Sequence, residues 1–261
     1  MAIALVQYDD YLNTGSGTTI ATDTAKSVTT GNFIVVVVGN VDAGSNEGVV
    51  TGVADTAGNT YQKAVGEYKS GTTYDRNEIW YAENITGNAN NIVTATFAAT
   101  TSFRYISAAE FSGVATSSSL LDTSFYANPL GTSHTSGVAT STSTGDLIIG
   151  GFTANNYLNI TVGSGFTTLS SDLTSVAFLA EEKILGDAGD YAATCTTGNI
   201  ASIMTCAIFA VATAAPTGTN MKINIGDTFK DVSELKINIG DSWKEITSAK
   251  INIGDSWKTI F

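Results

Sequence analysis

Charge is scarce in this chain. Asp, Glu, Lys and Arg make up 14% of its 261 residues, against roughly a quarter in ordinary soluble domains. The charge it has is one-sided: 12 Lys and Arg stand against 24 Asp and Glu, for a net charge of −12. Binding to phosphate backbones needs clustered Lys and Arg, so nucleic acid is excluded as a natural partner. Histidine occurs once and cysteine twice, too few for a zinc centre or a disulfide scaffold. No Gly-x-x-x-x-Gly-Lys-Ser/Thr stretch is present to cradle a nucleotide phosphate, and no Gly-x-Ser-x-Gly elbow to present a serine nucleophile. The apolar run Phe33–Val38 is far shorter than the roughly 20 residues a membrane-crossing helix requires. The start, Met1-Ala-Ile-Ala-Leu-Val6, lacks a basic region and runs into Asp9-Asp10, so no secretory leader is expected.

Gly, Ser, Thr and Asn fill the place of charge, and 43% of residues are hydrophobic, enough for a core. Residues 1–212 lack a capped 3.6-residue apolar period. Short apolar runs between Gly, Asn, Asp and Ser read as the strands of a sandwich or barrel. Phe33-Ile-Val-Val-Val-Val38 is apolar at every position and predicts a central strand covered on both faces. Leu147–Phe152 is a second run of the same kind. Asp55-Thr-Ala-Gly58-Asn59 supplies turn chemistry and is expected to close a hairpin between Val49–Val53 and Thr60–Val65. Residues 115–145, rich in Ser and Thr, read as long surface loops with room for an edge strand. Residues 213–220, with Pro216 and Gly218, read as a linker.

Residues 221–261 carry three copies of one unit, 14 residues apart: Lys-Ile-Asn-Ile-Gly-Asp begins at Lys222, Lys236 and Lys250. In each, Ile alternates with a polar residue, Gly-Asp supplies a two-residue hairpin turn, and Phe229, Trp243 or Trp257 opens a return strand. The expected product is a six-stranded antiparallel β-meander of three hairpins. A unit of about 40 residues buries too little apolar surface to stand alone. Ile223, Ile225, Phe229, Ile237, Ile239, Trp243, Ile251, Ile253 and Trp257 are therefore the candidate docking residues. The repeat segment is neutral, six basic against six acidic residues, so the net −12 belongs to residues 1–220.

Chemistry-bearing residues are few. His134 lies in Thr132-Ser-His-Thr-Ser-Gly137 with no acid nearby in sequence, and reads as a solvated loop residue. Cys195 and Cys206 flank Gly198-Asn199 and read as buried free thiols on neighbouring strands. Glu181 and Glu182 are adjacent, so on a strand they point to opposite faces rather than form a catalytic pair. Asn40-Val-Asp42 and Asp187-Ala-Gly-Asp190 offer oxygens to a structural calcium ion but do not follow the EF-hand spacing, and read as turns. No catalytic, cofactor-binding or metal-ligating residue is assigned. Tyr74, Tyr126 and Tyr157, placed in loops, are the candidates for stacking on sugars.

Asp55-Thr-Ala-Gly-Asn-Thr-Tyr61, Ile79-Trp-Tyr-Ala-Glu-Asn-Ile-Thr-Gly87, Val93-Thr-Ala-Thr96, Ala109-Glu-Phe-Ser-Gly-Val114 and Gly145-Asp-Leu147, taken in order, resemble a jelly-roll-like β-sandwich recurrent in bacteriophage virion proteins and some bacterial surface proteins. The Lys-Ile-Asn-Ile-Gly-Asp-x-Trp-Lys repeats resemble carboxy-terminal modules of phage head, tail and fibre proteins. The resemblance implies an all-β fold: a sandwich over 1–212, a linker over 213–220 and a hairpin module over 221–261. It implies a non-enzymatic virion protein, a capsid decoration or a head or tail fibre component, assembled in the host cytoplasm. Its partners would be other virion proteins and copies of itself. The alternative is a carbohydrate-binding or host-adhesion module that meets a surface glycan.

Overall fold

A computed structural model describes residues 2–42, 48–69, 74–116, 120–156, 159–172 and 176–212, together with six four-residue strands between 222 and 259. All described regular structure is β, and every ladder is antiparallel. The chain divides into two units, Met1–Ala212 and Thr213–Phe261.

Among the described residues the first unit holds twenty strands in two runs of ten. The first run is β1 (Ala4–Asn13), β2 (Gly17–Ala21), β3 (Lys26–Val28), β4 (Phe33–Asp42), β5 (Val50–Asp55), β6 (Gln62–Lys69), β7 (Tyr74–Ala82), β8 (Asn88–Asn91), β9 (Val93–Thr101) and β10 (Arg104–Ser112). The second is β11 (Leu121–Ala127), β12 (Leu130–Thr135), β13 (Ala139–Ser141), β14 (Leu147–Ala154), β15 (Thr161–Val162), β16 (Thr167–Asp172), β17 (Ala177–Ile184), β18 (Gly189–Tyr191), β19 (Thr194–Ala201) and β20 (Ile203–Phe209). The large sheet of the first run has the order β1-β10-β4-β7-β6; that of the second is β11-β20-β14-β17-β16. The smaller ladders are β2-β9-β5 with β3-β8, and β12-β19-β15 with β13-β18. Adding ten to each strand of the first run reproduces the second. The unit is a structural duplication.

The likeness extends to single bonds. Gly31 N–H donates to Ile85 O at 2.9 Å, and Gly145 N–H to Leu185 O at 2.9 Å; both glycines have φ of 87°. Thr22 N–H reaches Val93 O and Ser136 N–H reaches Ala193 O, each at 3.0 Å. In return Val93 N–H donates to the Thr22 hydroxyl at 3.2 Å and Ala193 N–H to the Ser136 hydroxyl at 3.1 Å. Bulges coincide as well. The register slips between Leu5 and Gln7 on β1 and between Leu121 and Thr123 on β11, then between Lys63 and Val65 on β6 and between Thr168 and Ser170 on β16. Bulges are built features of a fold rather than accidents, so shared bulges tie the two halves together more firmly than strand order does.

Each half is a sandwich, and the halves stack by their large sheets. On β4, Phe33, Val35 and Val37 enter the core between the halves, while Ile34, Val36 and Val38 enter the first half's own core. On β14, Leu147 and Ile149 face the shared core, and Ile148 and Phe152 the second half's own. That is why both runs are apolar at almost every position. In the shared core Phe209 lies 4.9 Å from Phe33 and 5.2 Å from Tyr81, ring centre to ring centre. Truncating a phenylalanine packed in this way costs about 3–5 kcal/mol. A polar bridge crosses the same interface: Asn77 Nδ2 donates to Thr153 Oγ1 at 3.0 Å, and Thr205 Oγ1 donates to Asn77 Oδ1 at 2.6 Å. β1 lies over β16 and β6 over β11, the arrangement a twofold axis between the halves produces. Past β10 and β20 the chain also pairs, Val114 bridging Val211.

Several expectations need correction. Val50–Asp55 and Gln62–Lys69 do not form a hairpin, because β5 belongs to a small ladder and β6 to the large sheet. Asp55 builds the crossing instead. It accepts from Asn59 N–H at 2.9 Å, Tyr61 OH at 3.0 Å and Asn91 Nδ2 at 3.1 Å. Residues 115–145 are not long loops; their described part holds β11, β12 and β13. Gly198 and Asn199 lie inside β19, so no turn there separates the cysteines. Cys195 and Cys206 sit on ladders that face each other across one core, free and buried.

In the second unit, β21 (Lys222–Ile225) pairs with β22 (Thr228–Asp231), β23 (Lys236–Ile239) with β24 (Ser242–Glu245), and β25 (Lys250–Ile253) with β26 (Ser256–Thr259). The register repeats: Ile225 opposite Thr228, Ile239 opposite Ser242, Ile253 opposite Ser256. Among the described residues each hairpin is a two-stranded sheet of its own, and the expected six-stranded meander turns on the joins between them. The joins between hairpins, and the Gly-Asp turns, lie outside the described residues.

Candidate ligand cleft

At the β1 margin of the first half, the large sheet and the outer ladders part to leave a small, half-open cleft of about 30 Å³, room for one or two waters. Its floor is apolar: Val28, Ile34, Val93 and Ala108. Its rim is polar: Gln7, Asp9, Lys26, Asn91 and the buried Glu110. The period of two along β1 places Gln7 and Asp9 on the same side of the strand, opposite Glu110 and Ala108 of β10.

The rim is held by its own bonds. Glu110 Oε1 accepts from Thr29 N–H at 2.9 Å and Asn32 Nδ2 at 2.6 Å, and Oε2 accepts from Gln7 Nε2 at 2.7 Å. Asp9 accepts from the Thr24 backbone at 2.8 Å and its hydroxyl at 2.9 Å, with Lys26 Nζ at 3.6 Å. Both carboxylates are thus occupied by the protein's own donors, and a space of this size admits a single hydroxyl or methyl group reaching in from outside.

The second half shows what the cleft amounts to. Asp9 lies opposite Ala108, which lies opposite Val36; Phe125 lies opposite Cys206, which lies opposite Gly150. Phe125 is thus the counterpart of Asp9. Gly137, one residue past Ser136, is the counterpart of Asp23. A Cβ on Gly137 would meet the Phe125 ring at 2.5 Å, and its φ of 82° suits glycine. In the second half a phenylalanine ring, about half exposed, lies against Gly137 where the first half has Asp9 and Asp23.

No protein-family model, no curated protein and no solved structure matches this chain.

Two buried carboxyl groups mark a further divergence between the halves. Glu78 on β7 accepts from Arg76 at 3.1 Å, Trp80 Nε1 at 3.0 Å and Val50 N–H at 3.1 Å, with Lys63 at 3.3 Å. Glu181 on β17 is equally buried, yet its Oε2 has no partner and Oε1 accepts from Thr194 N–H at 3.1 Å. Burial, only partly offset by backbone donors, pushes its pKa up to about 8. Glu181 fits because Gly150 leaves room; a Cβ there would lie 2.8 Å from its Oε1. Glu182, half-buried, points the other way, as the alternation predicts.

His134 is not a solvated loop residue but a fully buried one on β12. The Thr197 hydroxyl donates to Gly198 O at 2.7 Å, so it accepts from His134 Nε2–H at 2.6 Å, and Nδ1 accepts from Ser202 Oγ at 2.9 Å. Both nitrogens are used by a neutral ring, and burial lowers its pKa accordingly. Cys195 and Cys206 have raised pKa values, from burial first, and are inert thiols.

Of the three tyrosines proposed to meet sugars, the structure describes the side chain of one. Tyr126 is exposed on β11, not in a loop, and its pKa is raised chiefly by Glu67. Tyr74 begins β7, opposite Asp42, and Tyr157 lies outside the described residues. The repeat residues proposed for docking fall at alternating ladder positions. Ile223 is opposite Lys230 and Phe229 opposite Asn224; likewise Ile237 is opposite Lys244 and Trp243 opposite Asn238, and Ile251 is opposite Lys258 and Trp257 opposite Asn252. Ile225, Ile239 and Ile253 close the strands. Asn40 donates to Gly48 O at 2.7 Å, and Asp190 accepts from Thr140 Oγ1 at 2.7 Å. Among the described residues no cluster of three or more His, Cys, Asp or Glu is placed to hold a metal ion, and no helix is long and apolar enough to cross a membrane.

Proposed function

We propose that this protein is a non-enzymatic structural component of a bacteriophage virion, a capsid decoration or a head or tail fibre protein. Its paired sandwiches form the body, and its carboxy-terminal hairpins dock it to other virion proteins and to copies of itself. The strand neighbours support a jelly-roll-like reading of each half: β1-β10-β4-β7 in one layer and β2-β9-β5 in the other. The carrying observation is the hairpin register, which recurs unchanged three times in a segment too small to fold on a core of its own. Two-stranded ribbons with open edges offer backbone donors and acceptors that a partner strand can complete. Repetition multiplies weak contacts through effective concentration. The test is a chain ended after Thr213, expressed beside the full chain during particle assembly. The full chain is expected in purified particles and the shortened one to be lost from them. Equal incorporation of both defeats the docking role.

The open cleft favours a second reading, adhesion through a surface glycan. The second half suggests the variant: Asp9→Phe with Asp23→Gly places a ring at the first cleft, as a plug, where Phe125 stands against Gly137 in the second half. On a glycan array the unaltered protein should give hits that this double variant loses. An array without hits, or hits that survive the plug, counts against the reading.

A further inference from the structure

Among the described residues β1 is the margin of its sheet, pairing with β10 along one side only, over ten residues. Leu5, Val6, Tyr8 and Tyr11 are exposed on it. A long edge strand with exposed apolar side chains is a template for another strand. It is also guarded. A bulge lies at Val6, Asp9 and Asp10 stand in mid-strand, and Asp23 and Asp172 lie close enough to raise the pKa of Asp10 together with burial. Inward charge and bulges are how edges refuse the wrong partner. Two copies of β1 laid against each other would bring their carboxylates together. A strand carrying lysine would not be refused.

The chain contains such strands. The first 220 residues hold six of the twelve basic residues, and the repeats hold the other six. Lys222, Lys236 and Lys250 open one strand of each hairpin, and Lys230, Lys244 and Lys258 lie in the other. Among the basic residues of the body, Lys63 and Arg76 serve Glu78, Lys26 serves Asp9, and Arg104 donates to the carbonyls of Thr19 and Gly15. The repeats as a whole are neutral, but their Lys-Ile-Asn-Ile strands carry lysine and no acid, whereas the body is acidic. Each copy offers one β1 and three such strands, so contacts between copies can repeat from one copy to the next.

We propose that β1 receives a hairpin strand from a neighbouring copy of this chain, extending the first large sheet across the contact, with lysine of the hairpin set against Asp10. This rests on the structural role proposed above and names the surface it would use.

The test is sedimentation velocity of the full chain, with thermal melts to verify folding. The unaltered chain should associate, and more weakly as salt rises. Asp10→Lys, and separately Lys222, Lys236 and Lys250→Glu, should each weaken association about tenfold, and combining them should restore most of the loss. Asp10→Asn, a milder change, should weaken it less and covers the case in which the reversal fails to fold. A full chain that stays monomeric at its highest soluble concentration overturns the proposal. So does association that no change at Asp10 alters; in that case docking through another surface survives, because particle incorporation is read separately.

Discussion

Glu78 and Glu181 are both buried carboxyl groups on corresponding strands, yet their surroundings differ. Glu78 sits among Arg76, Lys63 and the Trp80 indole. Glu181 has no cation beside it among the described residues; Cys195, Cys206 and backbone amides surround it. Its pKa rises from an ordinary value near 4.5 to about 8. The folded state therefore holds a proton that the unfolded chain gives up. No penalty exists below about pH 4.5. Stability falls as pH climbs from there to about 8, by at most about 1.4 kcal/mol per pH unit, and levels off above. Urea denaturation between pH 5 and pH 9 should show this decline, and Glu181→Gln should flatten it. A decline unchanged by the substitution would assign it elsewhere. The opposite facing of Glu181 and Glu182 was legible in the sequence, since it needs only the period of a strand. The burial of Glu181 was not, because it depends on the space above Gly150, thirty-one residues away. His134 was misread for the same reason. Its partners, Thr197 and Ser202, lie 63 and 68 residues away, and a Ser/Thr-rich neighbourhood looks solvated until they arrive.

Strands announced themselves in proportion to how fully they were covered. Phe33–Val38 and Leu147–Phe152 are covered on both faces and were plain. β11 and β12 pack one face at most, and polar residues fill most of the rest, so pattern alone read them as loop. β5 and β6 show a different limit. Asp55, Gly58 and Asn59 are turn residues by any reading, and Asp55 does organise the bend. A bend within one sheet and a crossing between two layers use the same local chemistry, so only pairing partners distinguish them. The hairpin repeats were the clearest local signal, with two residues between Ile225 and Thr228 as the Gly-Asp turn demands. What joins one hairpin to the next left no comparable mark in the letters.

The molecule's first unit depends on two halves covering each other. Separated, residues 1–115 would expose Phe33, Val35, Val37, Ile79, Tyr81 and Phe111, all now in the shared core. An exposed apolar face of that extent drives association. Expressed alone, each half should be insoluble or aggregate; co-expressed, 1–115 and 116–212 should purify as a one-to-one complex. Two well-behaved monomers would show that the stacking is not required. The duplication was all but hidden in the sequence, where only the pair of apolar strands hinted at it, because bulges and backbone bonds persist while side chains drift. Joining two like halves in one chain also changes what mutation can do. In a dimer of identical subunits each substitution appears on both sides of the axis, so a gain at one mouth is imposed on the other. Tethered copies escape that constraint: one carries Asp9 and Asp23 where the other carries Phe125 and Gly137, and a single subunit can specialise without giving up its symmetry of form.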